Sequence, residues 1–187
     1  MVEYSNFCKH LHVPLQSGCD QILKKMHRPY SSRYYFDLFW KAHKLVPGLA
    51  WGLDVIVGFP GETEEFFSET YKFIEELPVA YMHVFPFSPR SGTPASRLPE
   101  QVPGQIKKRR AALLRELSNL KRKEFLSTFR GNTLDVLVEG MSKKNGNYSY
   151  GLSSNYIRVY FKDTTLLPNT LVNARIVDLF ENGLLGI

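Results

Sequence analysis

Apolar and polar positions change their spacing several times along the first hundred residues. Two segments alternate polar and apolar residues, as a half-buried strand does, and a third is a nearly continuous apolar run typical of a buried parallel strand. Between them lie segments with helical spacing. Strands are predicted over 10–16, 50–59 and 80–87, and helices over 19–27, 31–46 and 64 to about 77. This alternation predicts an α/β domain with a parallel sheet or barrel.

A different pattern follows residue 87. Residues 88–104 are rich in Pro, Gly and Ser and predict a linker, and residues 105–129 predict one long helix. Its apolar face is predicted to contain Ile106, Leu113, Leu117 and Leu120, with a charged side that begins at 107–110.

Short strand-like runs separated by turn residues begin at Gly131. About five strands in so short a stretch predict a small, closed, antiparallel β-barrel of OB-like type. The clearest runs are 133–139, 148–151, 156–161 and 171–179. We therefore expect an α/β domain over 1–100, a connecting helix over 101–130 and a small barrel over 131–187.

Charge is concentrated in the predicted connecting helix. Residues 101–130 hold 9 Lys or Arg and 2 Asp or Glu, a net charge of +7, whereas 1–100 has a net charge of −1 and 131–187 a net charge of 0. A basic segment of this kind favours contact with a polyanion, and a solvated helix face is the alternative.

Composition limits the remaining classes. Hydrophobic residues make up 43% of the chain, enough for a folded core, and no apolar run approaches a membrane span. The only two cysteines are Cys8 and Cys19, which argues against a disulfide framework, and a CxxC zinc motif is absent. A cytoplasmic protein without a membrane partner is expected.

Polar residues recur on one face of all three predicted strands. His10, His12 and Gln16 share a face, Asp54 shares one with Ile56 and Gly58, and His83 alternates with apolar neighbours. Because buried strands rarely carry unpaired polar groups, the pattern predicts a polar lumen or a satisfied core network. A divalent metal bound by His10, His12, Asp54 and His83, as in metal-dependent hydrolases, is a further alternative.

The segment from Gly58 to Glu62 follows the second strand directly. Ligands of α/β folds bind at this carboxyl edge, and glycine lets the backbone approach them. No lysine follows the glycines, and Glu62, Glu64 and Glu65 would repel a phosphate. The loop therefore favours a neutral or cationic ligand, or is simply a tight turn.

Aromatic and basic residues lie together in the predicted barrel. Tyr148, Tyr150 and Tyr156 accompany Lys143, Lys144 and Arg158, among others. Such a surface can stack nucleobases and pair phosphates, although alternate aromatics should instead fill the barrel core.

Four segments in this order resemble the radical-SAM methylthiotransferases. They are HLHVPLQSGCDQILKKMHRPY, DVIVGFPGETEEFF, HVFPFSPRSGTPA and QVPGQIKKRR, and residues 131–187 look like the TRAM domain of that family. Cys8 before HLH, the CDQIL stretch and HVFPFSPR are most similar to the branch that acts on threonylcarbamoyladenosine in tRNA. Branches acting on isopentenyladenosine or on a ribosomal-protein aspartate resemble the chain less.

The resemblance implies the last three strands of a partial (α/β) barrel, with S-adenosylmethionine along their carboxyl edge. It implies a tRNA partner bound near the anticodon. The implied cofactor-binding residues are Gln16, Ser17, Asp54, Gly58, Gly61, Glu62, Val84 and Phe85. Combined with the charge pattern, the expected RNA-binding residues are Lys107, Lys108, Arg109, Arg110, Lys121, Arg122, Lys143, Lys144 and Arg158.

One family feature is missing from this sequence. The CxxxCxxC loop is absent, and three thiolates are required to hold the 4Fe-4S cluster that cleaves the sulfonium. We expect the chain to be an inactive C-terminal fragment that by itself binds neither S-adenosylmethionine nor an iron-sulfur cluster. We also expect that the N-terminal domain and the half barrel that carries the cluster are missing from it. Its exposed sheet edge predicts self-association. A stand-alone RNA-binding module is the alternative function.

Overall fold

The computed structural model describes residues 6–142 and 148–187. The strands are β1 (His10–His12), β2 (Ala50–Val57), β3 (Tyr81–Pro86), β4 (Thr133–Met141), β5 (Ser149–Ser153), β6 (Arg158–Phe161), β7 (Leu171–Phe180) and β8 (Gly183–Gly186). The α-helices are α1 (Asp20–Lys25), α2 (Ser32–Leu45), α3 (Glu64–Glu76) and α4 (Gly104–Ser127), and a short 3-10 helix spans Pro94–Arg97.

The described residues fall into two compact units. One contains residues 12–44 and 51–122, and the other contains the described part of 1–11 with 45–50 and 123–187. No described helix combines the length and the apolar character that crossing a membrane would require.

Strands β1, β2 and β3 form one sheet in that order, which confirms the predicted α/β arrangement. Strands β2 and β3 are parallel, with Asp54 opposite His83 and Ile56 opposite Phe85. The first strand is shorter than predicted because Pro14 has no N–H to donate and Gln16 has a left-handed φ of +68°. Gln16 nevertheless rejoins the sheet by a parallel bridge to Val55.

Helix α3 begins where the sequence places it. The Thr63 side chain caps the helix by accepting from the Phe66 N–H, and Glu64 and Glu65 occupy the first turn, near the positive helix end. Helix α3 buries Phe67, Thr70 and Ile74.

Helix α4 forms as expected, and Leu117 of its predicted apolar face is buried, but two other leucines of that face are not. Leu113 and Leu120 are 38% and 57% exposed, whereas Ala111 and Leu114 are fully buried and Arg110 is 3% exposed. A charged residue thus takes a core position.

The five C-terminal strands close into a barrel in the order β4-β5-β6-β8-β7. The barrel is not wholly antiparallel as predicted, because β6 and β8 pair in parallel. Strand β6 starts later than predicted, since Tyr156 lies in a turn with φ +58°. The fifth strand, Gly183–Gly186, consists of two glycines and two leucines. Its sequence therefore shows no alternation of apolar and polar residues.

Candidate functional site

One face of the three-stranded sheet carries a cluster of polar side chains centred on Asp54. His12 Nε2 lies 2.9 Å from Asp54 Oδ1, and His83 Nδ1 lies 3.3 Å from the same oxygen. The three residues come from three adjacent strands, and the period of two along each strand places them on one face. The structure therefore confirms the predicted shared polar face for His12, Asp54 and His83.

Tyr81 completes this cluster, although it was not predicted from the sequence. Its hydroxyl lies 3.0 Å from His12 Nδ1. A neutral His12 that donates from Nε2 to Asp54 can accept the Tyr81 proton at Nδ1, so every group has a partner. Burial raises the pKa of the Tyr81 phenol, an effect that the Arg122 charge opposes. The signal was available, because residues 81 and 83 share a strand face.

His10 does not join the cluster. Its ring stacks on that of Tyr156, with centroids 4.6 Å apart. Within the described residues, the group able to offer converging metal ligands is His12, Asp54 and His83, whose ligand atoms all lie within 4.8 Å of one another. The four-residue metal site suggested by the sequence is thus reduced to three residues.

Two apolar side chains adjoin the cluster toward the carboxyl edge of the strands. Ile56 and Phe85 are paired in the sheet register and share the face of Asp54 and His83. Phe85 is 50% exposed, and its ring centroid lies 6.3 Å from that of His83. Together they form an open apolar shelf beside polar groups, an arrangement suited to a flat, partly polar ring.

The loop from Gly58 to Glu62 is held by its own glutamate. The buried Glu62 carboxylate accepts the Gly58 N–H at 2.8 Å and the Arg110 guanidinium at 2.7 Å. Burial raises the pKa of Glu62, and the Gly58 N–H and Arg110 act against that effect. Glu62 was expected to contact a cofactor, but both of these bonds are directed into the protein.

Both loop glycines have backbone conformations that favour glycine. Gly58 has φ +72° and Gly61 φ +80°. A Cβ on Gly58 would lie 2.1 Å from Cγ of Lys107, and one on Gly61 would lie 1.9 Å from Nζ of Lys25. Lysine side chains therefore cover the loop, which makes it less open than the sequence suggested.

Three other expected cofactor contacts face elsewhere or are already bonded. Ser17 is fully buried, and its hydroxyl lies 3.0 Å from that of Thr70. The Val84 side chain is buried, and its carbonyl accepts from Arg115 at 3.3 Å. Gln16 contributes its backbone, which donates to the Asp54 carbonyl and accepts from the Ile56 N–H. Asp54 and Phe85 remain as side chains on the accessible face.

The expected RNA-binding residues of α4 differ widely in exposure. Lys108 and Arg109 are exposed, although Arg109 pairs with Glu64 at 2.7 Å. Lys107 donates to the Phe87 carbonyl at 3.0 Å, and Lys121 donates to the Glu75 carbonyl. Arg122 is half-buried, and burial lowers its pKa.

Arg110 differs most from its expected role. Its guanidinium is bonded to Glu62 and lies 3.1 Å from Glu64, with the side chain only 3% exposed. Since phosphates cannot reach it there, Arg110 stabilises the loop rather than an RNA contact.

In the described part of the barrel, a cation lies over an aromatic ring. The Arg158 guanidinium lies 4.8 Å from the Tyr150 ring centroid. Tyr160 and Phe161 are both buried although they are consecutive, so burial does not alternate along β6 as expected, while Tyr156 is 56% exposed. Lys143 and Lys144 lie outside the described residues.

The two thiols do not fit a 4Fe-4S cluster. Cys19 is fully buried and its thiol lies 3.0 Å from the Gln21 side-chain oxygen, while Cys8 is exposed. Burial raises the pKa of Cys19 to about 11, so the thiolate that iron requires is disfavoured.

Comparisons with a family model and with known proteins indicate the same family. Residues 1–74 match the Radical SAM superfamily. The chain is 42% identical over 170 residues to a threonylcarbamoyladenosine tRNA methylthiotransferase of Bacillus subtilis, covering 90% of this chain and 38% of that protein. It is 41% identical over 176 residues to a tRNA-2-methylthio-N(6)-dimethylallyladenosine synthase of Acetivibrio thermocellus, covering 94% and 37%.

A protein of Desulfitobacterium hafniense with the latter name is 39% identical over 182 residues, covering 97% of this chain and 41% of its own length. The chain thus spans about two fifths of the length of these relatives. These likenesses do not favour a hydrolase or a stand-alone RNA-binding module. The chain belongs to the radical-SAM methylthiotransferase family.

Proposed function

We propose that this chain forms part of an enzyme that adds a methylthio group to a modified adenosine near the anticodon of tRNA. The observation that carries the proposal is the accessible sheet face, where Asp54, His12 and His83 adjoin the apolar shelf of Ile56 and Phe85. A purine can rest on the shelf while its nitrogens meet hydrogen-bonding side chains. The relatives named above support tRNA as the substrate class.

S-adenosylmethionine, when bound, supplies the methyl group and the radical in such an enzyme. Phe85 and Ile56 would hold its adenine or that of the substrate, with Asp54 beside them. The role of His12 and His83 is to fix the Asp54 carboxylate, His12 by a hydrogen bond and His83 by a contact of 3.3 Å with the same oxygen. Because the thiols of this chain do not fit a cluster, the cluster ligands belong to a further part of the enzyme, and this chain alone is proposed to be inactive.

The barrel is proposed to be a TRAM-type, OB-like RNA-binding domain. Its closed five-strand order and the Arg158–Tyr150 pair support this assignment. On α4 the proposed RNA surface is limited to the exposed Lys108 and Arg109, with Lys107, Lys121 and Arg122 held closer to the protein. Lys143 and Lys144 remain proposed contacts on sequence grounds.

Binding of an anticodon stem-loop RNA to the full chain tests the proposal. We expect salt-dependent binding, and the double substitution Lys108→Gln with Arg109→Gln should lower the slope of log affinity against log salt by about 1 to 2. Lys72→Gln, an exposed lysine on α3, is the control and should leave the slope unchanged. Absence of RNA binding by the unaltered chain would overturn the proposed function, and an unchanged slope would remove α4 from the RNA surface.

A further inference from the structure

A basic pocket lies in the loop between α1 and α2, away from the polar cluster. It has a volume of about 540 Å³. Its lining includes Asp20, Lys24, His27, Arg28, Tyr30 and Ser31. These residues lie outside the basic segment 101–130, so the overall charge pattern of the chain did not reveal them.

Cationic groups dominate this pocket. Lys24, His27 and Arg28 are all exposed, and within the described part of the chain no carboxylate pairs with Lys24 or Arg28. The single acid, Asp20, accepts the Ser32 N–H at 2.7 Å. The pocket therefore holds one lysine, one arginine, one histidine and one carboxylate that is already hydrogen-bonded.

The loop is fixed in place by bonds to neighbouring elements. The Tyr30 hydroxyl donates to the Leu15 carbonyl at 3.2 Å, and the Arg28 N–H donates to the Leu23 carbonyl at 3.0 Å. His27 has a left-handed φ of +54° at the point where the chain leaves α1. Because the loop is hydrogen-bonded to Leu15 and to Leu23 of α1, the pocket needs little ordering before it binds a ligand.

The pocket adjoins the carboxyl edge of the sheet. His27 also lines a second pocket of about 250 Å³, together with Pro60, Leu98 and Glu100. The Glu100 carbonyl accepts the Gly61 N–H at 2.9 Å, so this second pocket borders the loop from Gly58 to Glu62. His27 thus lies next to the edge where α/β folds bind their ligands, and Lys24 and Arg28 line the adjoining pocket.

We propose that Lys24, His27 and Arg28 bind a backbone phosphate of the tRNA close to the nucleoside that is modified. The proposal rests on the proposed function and adds a contact outside α4 and the barrel. Arginine and lysine are the side chains that most often contact phosphate oxygens, and such contacts position a nucleic acid without reading its sequence. The pocket would hold the strand while the flanking nucleoside reaches the sheet edge.

Anisotropy titrations of the full chain with an anticodon stem-loop RNA, over a range of salt, test this contact. The double substitution Lys24→Gln with Arg28→Gln should weaken binding at least tenfold at low salt and reduce the salt slope by about 1 to 2. The matched control is Lys41→Gln with Lys44→Gln, two exposed lysines toward the other end of α2, which should change neither quantity. Urea unfolding should show that both double variants keep the stability of the unaltered chain.

The outcomes separate this proposal from the proposed function. If the unaltered chain binds RNA and the pocket variant binds it equally well, the pocket contact is wrong while the function stands. If the unaltered chain binds no RNA, both fail. Competition by polyglutamate and by polyphosphate gives a further test. If polyglutamate displaces RNA from the unaltered chain as well as polyphosphate does, but has no such effect on the pocket variant, the pocket recognises acidic peptide. That result would overturn the RNA assignment.

Discussion

Arg110 and Glu62 form a buried ion pair, 2.7 Å apart, between α4 and the loop at the carboxyl edge of the sheet. Arg110 also donates to the Glu62 carbonyl at 3.0 Å, and its guanidinium lies 5.3 Å from the Phe67 ring centroid. Since Glu62 in turn accepts the Gly58 N–H, one arginine fixes both the backbone and the side chain of the loop. A buried residue of the basic segment therefore holds the loop at the carboxyl edge of the sheet in its conformation.

Replacing Arg110 should destabilise the chain strongly. Arg110→Met leaves the Glu62 carboxylate buried without its cation, and the cost should be about 3–5 kcal/mol in urea unfolding. Adding Glu62→Gln removes that charge while keeping an acceptor for the Gly58 N–H, so part of the stability should return. Lys108→Met, on the exposed side of the same helix, should change stability by less than about 0.5 kcal/mol. Equal losses in the Arg110 and Lys108 variants would contradict the buried pair.

A double-mutant cycle can separate the two constraints on Gly58. Gly58→Ala should lose stability through the backbone strain of its positive φ, about 1 kcal/mol or more, and through collision with Lys107. Lys107→Ala removes Cγ, the nearest atom to the added methyl group. The double variant should therefore be more stable than the sum of the single losses predicts, as measured by urea unfolding. Simple additivity would show that Lys107 does not cover the loop.

The sequence predicted the polar sheet face because a strand has a fixed period of two. Once residues 50–59 and 80–87 were recognised as parallel strands, Asp54 and His83 could occupy the same face. The same parity includes Tyr81, but the sequence does not single it out because an aromatic residue at a strand end also suits an apolar core. His10 departed from the pattern because a ring distant in sequence, Tyr156, stacks on it.

The role of Arg110 could not be predicted in the same way. Four leucines at positions 113, 114, 117 and 120 are compatible with more than one buried helix face, so the sequence does not set the rotation of α4. A run of charges also gives no sign of which member is buried, because that depends on a partner in a remote loop. Ser17 illustrates the same limit, since its burial depends on Thr70 of α3.

Helix α4 should suppress self-association through one sheet edge. The Ser118 hydroxyl accepts the Met82 N–H at 3.1 Å, and Arg115 donates to the Val84 carbonyl, so both satisfy backbone groups of β3 that face away from β2. The double substitution Ser118→Ala with Arg115→Ala should leave these groups available for pairing and increase dimer formation in sedimentation velocity. Glu116→Ala with Asn119→Ala, at exposed positions of the same helix, is the control. An unchanged monomer fraction in the first variant would show that α4 does not protect this edge.

The two cysteines should differ sharply in reactivity. Burial raises the pKa of Cys19 to about 11, so about 0.1% of its thiol is ionised at pH 8, and the side chain is closed to reagents. Cys8 is exposed and should react with a disulfide reagent in the native chain, while Cys19 should react only after unfolding in urea. Rapid modification of two thiols in the native chain would refute the burial of Cys19.

The raised pKa of Cys19 also has a consequence for stability. The folded chain holds this proton more tightly than the unfolded chain, so the contribution is complete below pH 9 and is lost as the pH rises toward about 11. The variant Cys19→Ser removes the thiol, and stability measured by urea unfolding between pH 8 and 11 should then fall less steeply than in the unaltered chain. Cys8→Ser should keep the original pH dependence.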